Sequence, residues 1–216
     1  MVDGFENAPM TQLQRFLPFA GILTVFLIGV LGRALLQRTR FGTWGIVRSG
    51  LNEPAQAARA AGFAFVFILL GVQAARAAFH SMGGRLDAWL TPAVALIVSI
   101  IGTIVLAGGL VLLAAAQWQM GASWRIGIDE NAKPGLVVSG LFRLSRNPVY
   151  LALLMIIAGY AVLLPTLWSL VLWLAAYLLV RLQIAAEESY LRLSYGEAYE
   201  AYARRVGRLI PCFGLP

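Results

Sequence analysis

Gly140-Leu141-Phe142-Arg143-Leu144-Ser145-Arg146-Asn147-Pro148-Val149-Tyr150 is the stretch on which the reading of this chain turns. Two arginines, a helix-start signal and the first residues of an apolar run meet there. Asn147 before Pro148 predicts a helix start. Asparagine accepts from the free amides of a first turn, and proline fits the first helical position, where its missing N–H has no partner to lose. The residues from Val149 to Leu164 that follow are apolar. A helix N-terminus carries partial positive charge and free donors. The junction therefore suits either a plain membrane entry with snorkelling arginines or the binding of a polar or anionic ligand at the membrane face.

The composition around this stretch sets its context. The 216 residues are 60% apolar and 12% charged, whereas soluble domains run at about 45–50% and about 25%. Long apolar runs with short links predict an all-α integral membrane protein, one bundle over residues 1–216. The absence of strand alternation excludes an outer-membrane barrel. The single Cys212 leaves no intramolecular disulfide, and no Cys/His cluster suggests a metal, so none is expected. The only histidine, His80, reads as solvated or interfacial. The net charge of +7 records topology and contact with membrane lipids rather than nucleic acid. Met1 to Met10 lack a basic region and a small-residue cleavage site, so no cleaved signal peptide is expected.

Five spans are expected. The first runs from about Phe16 to Leu36. The second, about Ala61 to Phe79, follows a short surface helix begun by Asn52-Glu53-Pro54. The third, about Trp89 to Ala116, carries Gly102, Gly108 and Gly109, which predict a closely packed helix pair. These three spans make up residues 1–116. Residues 117–216 then hold a polar loop from Gln117 to Arg146, a helical hairpin of spans four and five broken at Leu164-Pro165-Thr166, and a C-terminal segment. The fifth helix should continue from Thr166 to Ser194, where Tyr195-Gly196 supplies a stop. At 1.5 Å per residue that is roughly 44 Å against a core of about 30 Å, so its end, with Glu187, Glu188 and Arg192, projects beyond the bilayer. Arg38, Arg40, Arg48, Arg59, Arg125, Lys133, Arg143, Arg146, Arg192, Arg204, Arg205 and Arg208 fall on one side, and Arg15 and Arg85 on the other. This bias places the loop and C-terminus in the cytoplasm, in a bacterial inner membrane, with the N-terminus outside.

Two clusters could carry chemistry. Tyr177, Arg181, Glu188 and Arg192 share one face of the fifth helix. They read either as a catalytic stripe with Arg181 and Glu188 at its centre or as a snorkelling arginine beside a Glu188–Arg192 surface pair. Tyr195, Tyr199 and Tyr202 form an aromatic stripe on a short helix. That helix either rests on the headgroups or folds back over the Arg143–Asn147 junction as a lid. Gly135 and Gly140 do not make a dinucleotide fingerprint, and there is no nucleophile elbow, P-loop or zincin motif.

From about Gln117 to Pro211 the chain resembles the membrane-embedded methyltransferases related to isoprenylcysteine carboxyl methyltransferase and phospholipid N-methyltransferase. The resemblance rests on Leu136 to Arg143, Arg146-Asn147-Pro148-Val149-Tyr150-Leu151, Glu187-Glu188, Tyr195-Gly196-Glu197-Ala198-Tyr199 with Tyr202, and Val206 to Pro211. It implies S-adenosylmethionine as cofactor, bound on the cytoplasmic side, and a lipid or other hydrophobic small-molecule acceptor arriving from the bilayer. By motif match Leu136, Val137 and Gly140 would line the cofactor, with Arg146, Asn147, Tyr150 and Leu151 at its polar part. Glu187 or Glu188 would hold its ribose or amino-acid end, and Tyr199 and Tyr202 would cover it. The prenylcysteine branch has His where this chain has Asn147, which argues against a prenylcysteine substrate. Two other readings stand beside it. One is an NADPH-dependent reductase of the sterol-reductase type, which typically has about twice the spans and a His-Pro-Asn-Tyr run. The other is a non-catalytic membrane scaffold.

Overall fold

The computed structural model describes residues 11–45, 53–80, 85–87, 90–125 and 135–210. Asn52, Trp89, Lys133 and Pro211 lie outside them. Those residues form an all-helical bundle whose only β feature is an isolated bridge between Arg85 and Thr166. The helices are α1 (Gln12–Phe41), α2 (Pro54–Phe79), α3 (Pro92–Met120), α4 (Pro148–Leu163), α5 (Leu167–Tyr195) and the short α6 (Glu197–Ala203).

Local chemistry sets most of the ends. Thr11 opens α1 with a reciprocal capping box to Gln14. Pro54 and Pro92 sit in the first turns of α2 and α3, and Thr166 accepts from the Ser169 amide at 3.1 Å to start α5. Gly196, at φ 51, closes α5 by donating to the Arg192 carbonyl at 2.9 Å. Two expected boundaries differ. The second span and the surface helix before it are one unbroken α2. The polar loop starts later than Gln117, because α3 runs on to Met120: buried Gln117 donates to the Gly29 carbonyl at 2.9 Å, so its polar end is satisfied inside the bundle. That carbonyl belongs to a π-helical stretch, Val25–Gly32, in the middle of α1.

Four helices, α1, α2, α3 and α5, are long and apolar enough to cross a membrane, while α4 has 16 residues. The expected fourth span is thus shorter than the roughly 20 residues a crossing needs. It is also the most enclosed, with residues from Pro148 to Leu163 buried along its whole length, so protein covers what lipid would otherwise meet. The closest packing is between α3 and α4. A Cβ on Gly159 would stand 2.5 Å from the Leu106 nitrogen, and one on Gly109 would stand 2.9 Å from the Ile156 nitrogen. Gly102 joins this contact, but Gly108 faces only the tip of Met155 at 3.7 Å. Two of the three glycines expected at a helix pair are there.

The arginines divide between the two ends of the bundle as the sequence suggests. At the end where α4 turns into α5, Arg85 binds buried Asp87 at 2.8 Å, Gln14 donates to the same carboxylate at 2.6 Å, and Arg15 donates to the Ala78 carbonyl. Arg59, Arg143, Arg146, Arg192 and Arg208 lie at the opposite end, where α4 begins and α5 stops.

Candidate functional site

At that opposite end the chain returns on itself three times. A 3-10 turn, Gly140–Arg143, leads into α4. It is pinned to the end of α3 by Gln119, whose side-chain oxygen accepts from the Leu141 amide at 2.7 Å. Gly140 has φ 60, and a Cβ there would stand 2.3 Å from the same oxygen, so backbone and space both call for glycine. Gln119 had no motif to announce it.

The short helix α6 folds back over this turn, so the lid reading of the tyrosine stripe describes the structure. Tyr199, Tyr202 and Val206 are buried in one cluster against Leu136, Leu191 and Tyr195. Tyr202 donates to the Phe142 carbonyl at 2.6 Å, and the Tyr195 hydroxyl accepts from the Gly135 amide at 3.2 Å. The Arg146 amide donates to the Gly207 carbonyl at 2.9 Å, tying the segment after α6 to the start of α4. Tyr202→Phe should leave that buried carbonyl unsatisfied, at a cost of about 1–3 kcal/mol. Trypsin cleavage at Arg204 and Arg205 is expected to accelerate in this variant while the helical content of the bundle stays unchanged.

Asn147 corrects the sequence reading. It precedes α4, but its side chain makes no capping bond. Instead its Nδ2 donates to the Arg208 carbonyl at 3.0 Å, and its amide donates to Ser145 Oγ at 3.2 Å. The residue expected to start a helix holds down the C-terminal segment.

Glu188 is 1% exposed and stands at the centre of the charged groups. Arg208 donates from Nη2 to Oε2 at 2.6 Å and from Nε to Oε1 at 3.2 Å, a two-point contact of the kind guanidinium and carboxylate favour. Arg146, equally buried, reaches Oε1 at 3.7 Å. Its Nε and the Tyr199 hydroxyl make no well-aligned hydrogen bond, but the Arg146 and Tyr199 side chains lie within hydrogen-bonding reach of each other. Burial first, and then the Glu188 charge, push the Tyr199 hydroxyl up to about 12, so it is a neutral donor at physiological pH. Burial raises Tyr202 further.

The neighbouring carboxylate, Glu187, faces another set. Tyr150 donates its hydroxyl to Oε1 in a short hydrogen bond, and Gln183 donates to the same atom at 2.9 Å. The structure thus brings together Arg146, Asn147, Tyr150, Glu187, Glu188, Tyr199 and Tyr202, with Leu136 packed under the tyrosines. Val137 and Leu151 are half-buried in the adjoining chain and take no part in the polar network. Two residues of the expected stripe are not brought to this cluster. Arg181 is exposed and donates to Tyr177 at 3.0 Å, away from the carboxylates. Arg192 pairs with Glu200 at 2.9 Å rather than with Glu188. Among the described residues no group of three metal-ligating side chains occurs.

Comparison with known proteins bears on this half of the chain. Residues 97–198 match a family model described as phospholipid methyltransferase. The phospholipid methyltransferase match runs from the first part of α3 to the first residues of the lid helix and contains both Glu187 and Glu188. A solved structure of the eukaryotic intramembrane Ras methyltransferase, isoprenylcysteine carboxyl methyltransferase, is similar with a TM-score of 0.60 and 20% identity, over 97% of this chain and 70% of that one. At that identity the likeness shows a shared fold. No curated protein matches the sequence. The resemblance read from the residues is therefore found on both sides, phospholipid-type in sequence and prenylcysteine-type in fold. Together with the four apolar helices it makes this chain an integral membrane protein.

Proposed function

We propose that the chain is an S-adenosylmethionine-dependent methyltransferase of the membrane, acting on a lipid or other hydrophobic small-molecule acceptor. The observation that carries this reading is the buried Glu188 with the Arg146 Nε and Tyr199 hydroxyl beside it, neither in a well-aligned hydrogen bond, under a folded-back C-terminal segment. Buried polar atoms are almost always satisfied, and the donor set fits this cofactor. A guanidinium and a neutral phenol suit its carboxylate, Glu187 and Glu188 suit its cationic groups, and Leu136, Val137 and the Gly140 turn suit its apolar surface. When bound, the cofactor supplies a methyl group already activated on a positively charged sulfur. The protein then needs chiefly to position and to exclude water. Tyr150 and Asn147 hold the two walls of the site, one through Glu187 and the other through the Arg208 carbonyl. Tyr199 and Tyr202 close its top. Arg181, exposed on α5, is left to orient an anionic headgroup of the acceptor.

The arginine distribution supports a cytoplasmic site and C-terminus with the N-terminus outside, so that cofactor enters from the water and acceptor from the bilayer. Residues 117–216 form the methyltransferase-like core and residues 1–116 brace it. Calorimetric titration of the detergent-purified chain with S-adenosylmethionine, its demethylated product and NADPH tests the reading. Binding of the first two but not the third is expected. Heat with NADPH alone would favour a reductase, and heat with none of them a scaffold.

A further inference from the structure

Glu187 and Glu188 are consecutive on α5, so their side chains leave the helix about 100° apart and meet different partners. Glu188 is held by Arg208 from the C-terminal segment. Toward Glu187 the path runs the other way. Gln183, one turn earlier and buried, donates Nε2 to Glu187 Oε1 at 2.9 Å, and its own Oε1 accepts from Arg59 Nε at 2.9 Å. Arg59 belongs to α2, in the part of the chain to which neither the motifs nor the family match extends. One turn further on, Gly62 packs against α5, where a Cβ would stand 2.9 Å from Leu179 Cδ2.

An amide between a guanidinium and a carboxylate has one workable orientation: oxygen toward the cation, NH2 toward the anion. Arg59 therefore dictates which end of Gln183 meets Glu187. Without Arg59 the amide is free to turn, and Glu187 loses a donor. The two donors to Glu187, Gln183 and Tyr150, converge on Oε1, and Oε2 receives no hydrogen bond from any described residue.

We propose that Arg59 and Gln183 are positioning residues for Glu187, a relay that presents its Oε2 to the cationic part of the methyl donor and makes α2 a working part of the site. This rests on the reading of the cluster as a donor site. The merely structural alternative is a tie between α2 and α5.

Binding of S-adenosylmethionine and of its demethylated product to the full-length protein in detergent separates them. Arg59→Gln and Gln183→Leu should each raise Kd about tenfold, and Arg59→Lys should recover most of the loss. Added to Gln183→Leu or to Glu187→Gln, Arg59→Gln should change Kd by less than twofold, because residues acting through one another are not additive. Two backgrounds are used so that one that fails to fold does not end the test. A tie between helices predicts instead a lowered melting temperature with unchanged affinity, or the same loss in every background, and either result overturns the relay. A wild-type chain with no affinity for either ligand overturns the donor-site reading itself, and the relay with it.

Discussion

Glu188→Ala is expected to remove measurable affinity for S-adenosylmethionine, a loss of at least a hundredfold, with the helices intact by circular dichroism. Among the described residues Glu188 is the only carboxylate that both Arg208 and Arg146 reach. Truncating it leaves the Arg146 guanidinium, whose side chain is 4% exposed, buried without its counter-charge. Breaking such a buried pair costs roughly 3–5 kcal/mol, and about 1.4 kcal/mol is a factor of ten in affinity. Arg208, less buried, would swing toward water and take with it the carbonyl that Asn147 and Ser145 hold. Arg192→Ala is the control. Its bond to Glu200 lies between two side chains more than 40% exposed, where solvent screening leaves little to lose. Calorimetry on both variants decides: a Glu188→Ala protein that binds within threefold of wild type does not use this carboxylate for its donor.

Gly159→Val should be the most damaging single change to the bundle. The added Cβ would meet the Leu106 nitrogen at 2.5 Å and the Gly102 carbonyl at 2.8 Å. These are backbone atoms of α3 that cannot turn aside as a side chain can, so α3 and α4 must separate along their length. Overpacking a tight contact costs typically 1–3 kcal/mol, and here the upper end, about 3 kcal/mol, is expected. Thermal unfolding in detergent measures it. Gly108→Ala, on the facing helix α3 but meeting only Met155 at an ordinary 3.7 Å, should leave the melting point unchanged or slightly raised, since alanine is the better helix former. Equal melting of the Gly159→Val and wild-type proteins would mean that the two helices are not in contact at this point.

The sequence made the membrane bundle and most of its boundaries legible. Their signals are local: proline at Pro54 and Pro148, threonine at Thr166, glycine at Gly196, and apolar runs of spanning length. The folded-back tyrosines were legible only as one of two options, because a stripe of aromatics looks the same against headgroups as against protein. Burial of Tyr199 and Tyr202 on Leu136 separates the two. What local pattern could not show is who holds whom. Asn147 has the grammar of a helix cap, yet its amide goes to a carbonyl 61 residues away. Glu188 and Arg192 have the spacing of a surface pair, yet Glu188 is drawn inward to Arg208, 20 residues on, and Arg192 turns to Glu200. Arg59 and Gln183 are separated by 124 residues, and Gln119 fixes the Gly140 turn from the end of another helix. Each of these is a tertiary contact made by an unremarkable residue type, so neither periodicity nor motif marks it. The family resemblance supplied the carboxylates and tyrosines together with Arg146 and Asn147, but not Arg59, Gln183 or Gln119.

The closure of Glu188 by Arg208 also sets an order of events during synthesis. Arg208 follows α5, so the carboxylate has no guanidinium from the C-terminal segment until the last long helix has been inserted and the residues beyond it have been made. Closure of this carboxylate therefore waits on residues made after α5, and a chain arrested before Arg208 would lack the two-point contact that holds Glu188.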